Sequence, residues 1–188
     1  MQYRREKLIR RYQQGEILKY VFFWGHTQKN PEIIDKGCFS QWYPSPFVVE
    51  GVTYATAEHY MMAEKARLFK DERTRQKILA AEHPHAAKKL GRQIQPFHES
   101  VWKQQRFAIV VQGNLAKFTQ YPDLKDFLLQ TGERILVEAS PMDTIWGIGL
   151  AQDNSQANDP TKWRGDNLLG FALMVVRDQL QQAEQQAK

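Results

Sequence analysis

The stretch richest in chemistry is Thr53-Tyr54-Ala55-Thr56-Ala57-Glu58-His59-Tyr60-Met61-Met62-Ala63-Glu64-Lys65. Thr56 is a residue type that caps helices, so a helix is expected to start beside it and run to about Phe69. Glu58 and Lys65 are seven residues apart, nearly two turns, which puts both on one face and about 10 Å apart along the axis. Met61 and Met62 lie between them. Free N–H groups at a helix start favour an ionised carboxylate, and apolar burial opposes it. Such a carboxylate can act as a base at neutral pH or stabilise developing positive charge. An amine in the same apolar cleft loses its proton more easily and becomes a nucleophile toward a sugar C1 carbonyl equivalent. The same spacing also fits a plain helix, with Glu58 supporting the cap and Lys65 a surface lysine paired with Glu64 or Asp71. His59 points about 100° away from Glu58 and is expected to pack rather than react.

Other groups are candidates for binding. Trp24, Trp42, Tyr43, Trp102, Trp146 and Trp163 could wall a base or sugar, or could fill the core. Gly147-Ile148-Gly149 could let backbone approach a phosphate closely. Trp163-Arg164-Gly165-Asp166-Asn167 precedes the last helix. The N-terminus of that helix could meet an anion, or Asp166 or Asn167 could simply cap it. Arg92, after Gly91, reads equally as a phosphate clamp or a surface arginine.

The elements that must position these groups follow from periodicity and punctuation. Helices are expected over 2–14, from Thr56, from Asp71 to Ala81, from Pro84 to Gly91, over 98–119, over Pro122–Thr131, and from Asn167 to about Gln182. Strands are expected over Leu18–Trp24 and Ile135–Val137. Phe47–Val49 and Val52–Tyr54 flank Glu50-Gly51 as a two-residue hairpin. Cys38–Pro46, with prolines two apart, reads as an ordered loop. His26–Gly37 and 147–166 read as loops, the second long enough to suggest a function. The Gln-rich end, 179–186, is expected to fray. The result is an α+β chain, predominantly helical, in a single compact domain with a few short strands, and not a βαβ array.

Composition narrows the classes. The chain has 188 residues, 42% of them hydrophobic, enough for a core. No apolar run approaches the ~18–20 residues of a membrane span, so no membrane association is expected. The N-terminus is charged and no secretory signal is read there. A single cysteine, Cys38, allows no internal disulfide and no Cys-rich zinc site, and a cytoplasmic setting is expected. Neither a cofactor nor a metal is expected. Residues 1–20 hold six basic side chains against two carboxylates, so +4 of the net +5 resides there. That segment could contact phosphate, or form a solvated helix face.

The ordered pieces Phe22-Phe23-Trp24-Gly25, Ser40–Phe47, Gly51–Tyr54, Glu58-His59-Tyr60, Ala63-Glu64-Lys65 and Leu90-Gly91-Arg92 resemble the NADAR family of YbiA-like N-glycosidases. So do Leu136–Ser140, Asp143, Trp146–Gly149, Trp163–Gly170, Leu173-Met174 and Arg177. The resemblance spans about residues 20–180. It implies a catalytic domain of the family's fold at 20–182; the basic helical extension expected at 1–19 and the frayed tail expected at 183–188 lie outside it. It implies hydrolysis of N-glycosidic bonds between ribose C1 and an amino nitrogen. The associated substrates are phosphoribosylamino-pyrimidine intermediates of riboflavin synthesis and ADP-ribose attached to guanine in DNA or RNA. Glu58 and Lys65 fall on the family's glutamate and lysine. Trp42, Glu138, Asp143, Trp146 and Asn167 carry over as pocket lining, and Trp24, Tyr43, Arg92, Gly147 and Gly149 join them as substrate-binding candidates. A non-hydrolytic ADP-ribose or nucleotide reader is the alternative class, and nucleic-acid binding through residues 1–20 a third. The oligomeric state is left open.

Overall fold

The structure is a computed structural model that describes residues 3–27, 30 and 32–186. The helix, loop and tail expected from the sequence at residues 1–2, 28–29, 31 and 187–188 lie outside the described residues. Seven α-helices and four short strands occur among the described residues. The chain gathers into two compact units, a terminal unit of Met1–Ser40 with Asp123–Lys188 and an inserted unit of Gln41–Pro122.

In the terminal unit, β1 (Tyr20–Phe23) pairs in parallel with β4 (Ile135–Glu138), in the register Tyr20↔Ile135 to Phe23↔Glu138. Parallel neighbours need a crossover connection, and here everything between the two strands supplies it. β4 is almost wholly buried, as its unbroken apolar run requires. α7 (Leu168–Gln186) packs on β4 and buries Leu169, Phe171, Leu173, Val176 and Leu180. It continues through Gln186 where fraying was expected from the Gln-rich sequence. Lys125, on α6 (Pro122–Leu129), holds Glu184 at 2.7 Å and supports the last turns.

α1 (Arg5–Gln13) buries Leu8, and the Arg5 guanidinium donates to the carbonyls of Trp163 and Pro160. Tyr3 donates to Asp178 at 2.7 Å. Arg4, Lys7, Arg10 and Lys19 stay exposed, so most of the basic segment is a solvated face. A 3-10 turn at Lys36–Phe39, capped by Asp35, replaces the loop expected at Cys38-Phe39. Its cause is local: the Asp35 carboxylate accepts the Gly37 N–H at 2.8 Å.

The inserted unit opens with the hairpin β2 (Phe47–Val49) and β3 (Val52–Tyr54). Glu50 and Gly51 take φ of 51° and 78°, the left-handed pair that a tight two-residue hairpin turn needs. α2 (Ala57–Leu68) is buried along nearly its whole circumference, from Ala57 to Glu64 and at Ala66. A helix enclosed on all sides needs neighbours all round. α3 (Glu72–Leu79), α4 (Pro84–Gly91) and α5 (Glu99–Gln120) supply them. Phe47, Tyr54 and Tyr60 form an aromatic cluster at the start of α2, with centroids 4.9–5.9 Å apart.

Candidate active site

Glu58 sits in the first turn of α2 and is buried, 3% exposed. Three local contacts set its position. The Thr56 hydroxyl accepts the His59 N–H at 3.3 Å, closing the helix start. The Glu58 N–H donates to the carbonyl of Gln41 at 2.9 Å. The His59 ring sits between the Thr56 hydroxyl, 2.8 Å from Nδ1, and the Ala81 carbonyl, 3.0 Å from Nε2. A carbonyl only accepts, so Nε2 carries the proton and Nδ1 accepts from Thr56. Burial lowers the pKa of His59 and keeps the ring neutral, the form this arrangement uses. His59 is therefore a packing and orienting residue.

Lys65, two turns on, is half-buried. Its ammonium donates to the Gly91 carbonyl at 2.8 Å and lies 4.4 Å from the centroid of Phe97 and 5.5 Å from that of Trp102. Its partners are not Glu64 or Asp71. Glu64 pairs with Arg67, and Asp71 caps α3 and accepts the Gln95 N–H. Burial pulls the Lys65 pKa down, nearby Arg92 adds to this, and Glu99 opposes it. Glu58 is buried, and Lys65 keeps part of its surface exposed.

The inserted unit also holds Trp42, Tyr43 and Arg92. Trp42 is half-buried beside His85, 6.2 Å away, and under the Lys88 ammonium at 5.8 Å. Tyr43 is buried, with the ammonium of Lys117 5.2 Å from its ring. Arg92 is exposed at the end of α4. Trp102 is a buried residue of α5.

The terminal unit gathers the rest at the C-terminal ends of β1 and β4. Trp24 follows β1 and is 67% exposed. Glu138 ends β4, its N–H held by the Asn167 side-chain oxygen at 2.9 Å and its carbonyl by the Ile148 N–H at 2.9 Å. The Asp143 carboxylate accepts the N–H groups of Ile145 and Trp146 at 2.8 and 2.7 Å. Asn167 is fully buried at φ 54° and also donates from Nδ2 to the Leu136 carbonyl at 2.9 Å. Its amide thus continues the β4 ladder. Trp163 is buried, its indole N–H on the Ala157 carbonyl.

Two features read for phosphate binding have most of their N–H groups engaged within the protein. The first N–H groups of α7 are taken: Asn167, Leu168 and Leu169 donate to the carbonyls of Gly147, Ile145 and Trp146. The glycines of Gly147-Ile148-Gly149 answer to packing. A Cβ on Gly147 would meet the Glu138 carbonyl at 2.9 Å, and one on Gly149, at φ +67°, would meet Arg164 Cβ at 2.8 Å. The Ile148 and Gly149 N–H groups go to Glu138 and Asp143.

Sequence reasoning missed Gln41, Asn114 and Lys117, all buried. The α5 period contained the signal. Val110, Asn114 and Lys117 recur at the i, i+4, i+7 spacing of one helix face, and that face is the buried one. Among the described residues no group of three or more His, Cys, Asp or Glu could hold a metal ion. No described helix is long and apolar enough to cross a membrane.

A family model described as the NADAR domain matches residues 22–181. The chain is 43% identical over 172 residues to the protein named N-glycosidase R617 of Acanthamoeba polyphaga mimivirus, covering 89% of this chain and 99% of that one. It is 33% identical over 146 residues to N-glycosidase YbiA of Escherichia coli (strain K12), covering 78% and 82%. The NMR structure of the E. coli protein YbiA superposes with a TM-score of 0.68 at 28% identity over 89% of each chain.

Proposed function

Since the chain belongs to the NADAR domain family, we propose that it is an N-glycosidase, hydrolysing the bond between ribose C1 and an amino nitrogen, with Glu58 as its catalytic carboxylate. The observation that carries this reading is the placement of Glu58: a carboxylate-bearing residue buried in the first turn of α2, with its backbone clamped on both sides. The names of the relatives, two of them N-glycosidases from a virus and a bacterium, support the reaction class.

The reaction breaks the C1–N bond, and its electron pair leaves with the nitrogen, which takes a proton. Positive charge develops on C1 and the ring oxygen. A buried carboxylate stabilises that charge, takes a proton from the water that attacks C1 and passes it to the departing nitrogen, so that it ends the cycle ionised. The products are the free amine and a sugar with a C1 hydroxyl. Lys65 serves in one of two ways. A glycosylamine can open to an imine at C1. A deprotonated Lys65 would add to that carbon and expel the amine, leaving a Schiff base that water then hydrolyses to free Lys65 and the sugar; its burial supports this role. Held as an ammonium by Gly91, Phe97 and Trp102, it would instead pair with the substrate phosphate and keep Glu58 ionised. Borohydride added during turnover leaves an adduct on Lys65 in the first case and none in the second.

The substrate classes proposed are phosphoribosylamino-pyrimidines and ADP-ribosyl guanine in nucleic acid, both with an exocyclic amino nitrogen on C1 and phosphate on the sugar's 5′ side. The span 20–182 is proposed as the catalytic domain and the cytoplasm as its setting, in keeping with a lone, buried Cys38. The test is incubation of the purified protein with a phosphoribosylamino-pyrimidine and with ADP-ribosylated guanine DNA, following release of amine or ADP-ribose. Glu58→Gln is expected to lower turnover by about 100-fold or more with the fold kept. Wild-type turnover by that variant removes Glu58 from the chemistry. Tight binding with no release would make the protein a reader instead.

A further inference from the structure

We infer that Gln41 and Asn114 are positioning residues for Glu58, linking α5 to the first turn of α2. This rests on the reading of Glu58 as the catalytic carboxylate. The first N–H groups of a helix have no acceptor within it, and the Glu58 N–H is one of them. Its acceptor is the main-chain carbonyl of Gln41, at 2.9 Å, from a segment outside any helix or strand. A carbonyl in such a segment is only as fixed as its residue, and Gln41 is fixed by its side chain. The Asn114 Nδ2 donates to Gln41 Oε1 at 2.7 Å and to the Val110 carbonyl, one turn back on α5, at 2.9 Å. The second bond orients the amide and leaves the other hydrogen aimed at Gln41.

Asn114 is fully buried in a stretch of α5 that also buries Val110, Val111 and Phe118. Its Oδ1 has no hydrogen-bond partner among the described residues. A buried polar group left half-satisfied costs stability, so packing alone would favour leucine at this position. The amide makes sense as a tether. Cutting the tether frees Gln41 and, with it, the carbonyl that locates Glu58. Catalytic groups tolerate little displacement, so the loss falls on the chemical step rather than on substrate binding.

The test measures single-turnover rate, KM and the pH profile of kcat with both substrate probes named above, in Asn114→Leu, in Gln41→Met and in the double variant. Gln41→Met leaves α5 untouched and serves if the buried substitution in α5 fails to fold. Each single variant is expected to lower kcat by about 10-fold or more with KM changed by less than about 3-fold, and the double variant to be no worse than either. In a Glu58→Gln background the same substitutions are expected to cost nothing further. Unchanged kcat in the folded variants, a change in KM alone, or an undiminished loss in the Glu58→Gln background would overturn the tether. Wild-type turnover by Glu58→Gln itself would instead overturn the reading of Glu58.

Discussion

The Lys65 ammonium donates to the carbonyl of Gly91, the last residue of α4, at 2.8 Å. Helix ends leave carbonyls without intrahelical donors, and a cation there also meets the negative end of the helix dipole. The rings of Phe97 and Trp102 attract the same charge from their faces. Lys65→Met removes the bond and the charge but keeps the length. It is expected to lower stability by about 1–2 kcal/mol, read from the urea midpoint, and turnover by at least about 10-fold. A loss of stability with turnover unchanged would make Lys65 a strut for α4 and nothing more.

His59 makes folding sensitive to acid. Its pKa is lowered in the folded protein by burial, so the unfolded chain takes up its proton first as pH falls. The stability that neutral His59 contributes is fully present above its unfolded value near 6.5, and is lost as pH falls through the folded value. Between pH 7.5 and 5.5 the wild type is expected to lose more stability than His59→Gln, whose amide is neutral throughout. Equal losses across that window in urea titrations would show that His59 does not set the response.

Asn167 bonds to Leu136 and Glu138 through one buried amide, from a backbone in the left-handed region. Asn167→Ala removes both bonds, leaves two β4 groups unsatisfied and keeps an unfavourable φ. The expected cost is about 2–4 kcal/mol in thermal or urea unfolding. Asn167→Gly, which relieves φ but not the bonds, is expected to recover only part of it.

Gly149→Ala separates packing from phosphate binding. The new Cβ would sit 2.8 Å from Arg164 Cβ at a φ that alanine disfavours. Stability is expected to fall by about 1–2 kcal/mol. Substrate KM measured well below the melting temperature is expected to stay within about 3-fold, because the Gly149 N–H is already bonded to Asp143. A large rise in KM at full stability would return this glycine to a role in holding substrate.

Much of the helical frame around the candidate site was legible because its causes are local. Thr56 starts α2, Asp71 starts α3 and Pro84 starts α4, as their residue types require. The spacing of Glu58 and Lys65 follows from helix geometry alone. The positive φ of Glu50-Gly51 was implied by a two-residue turn between apolar triplets.

What the sequence determined by itself is therefore which elements form and which helix carries the carboxylate and the amine. Only the tertiary structure decided their partners. The pairing of β1 with β4, the Gly91 carbonyl under Lys65, and the Asn114 amide behind Gln41 each join residues 26 to 115 positions apart. The same is true of the α7 N-terminus, where carbonyls from 145–147 occupy the N–H groups that helix propensity alone would leave open. Local preferences act over a few residues. Burial and hydrogen-bond satisfaction act on whatever the folded chain brings together: the period of α5 places Asn114 on a buried face, but does not say which residue it meets there.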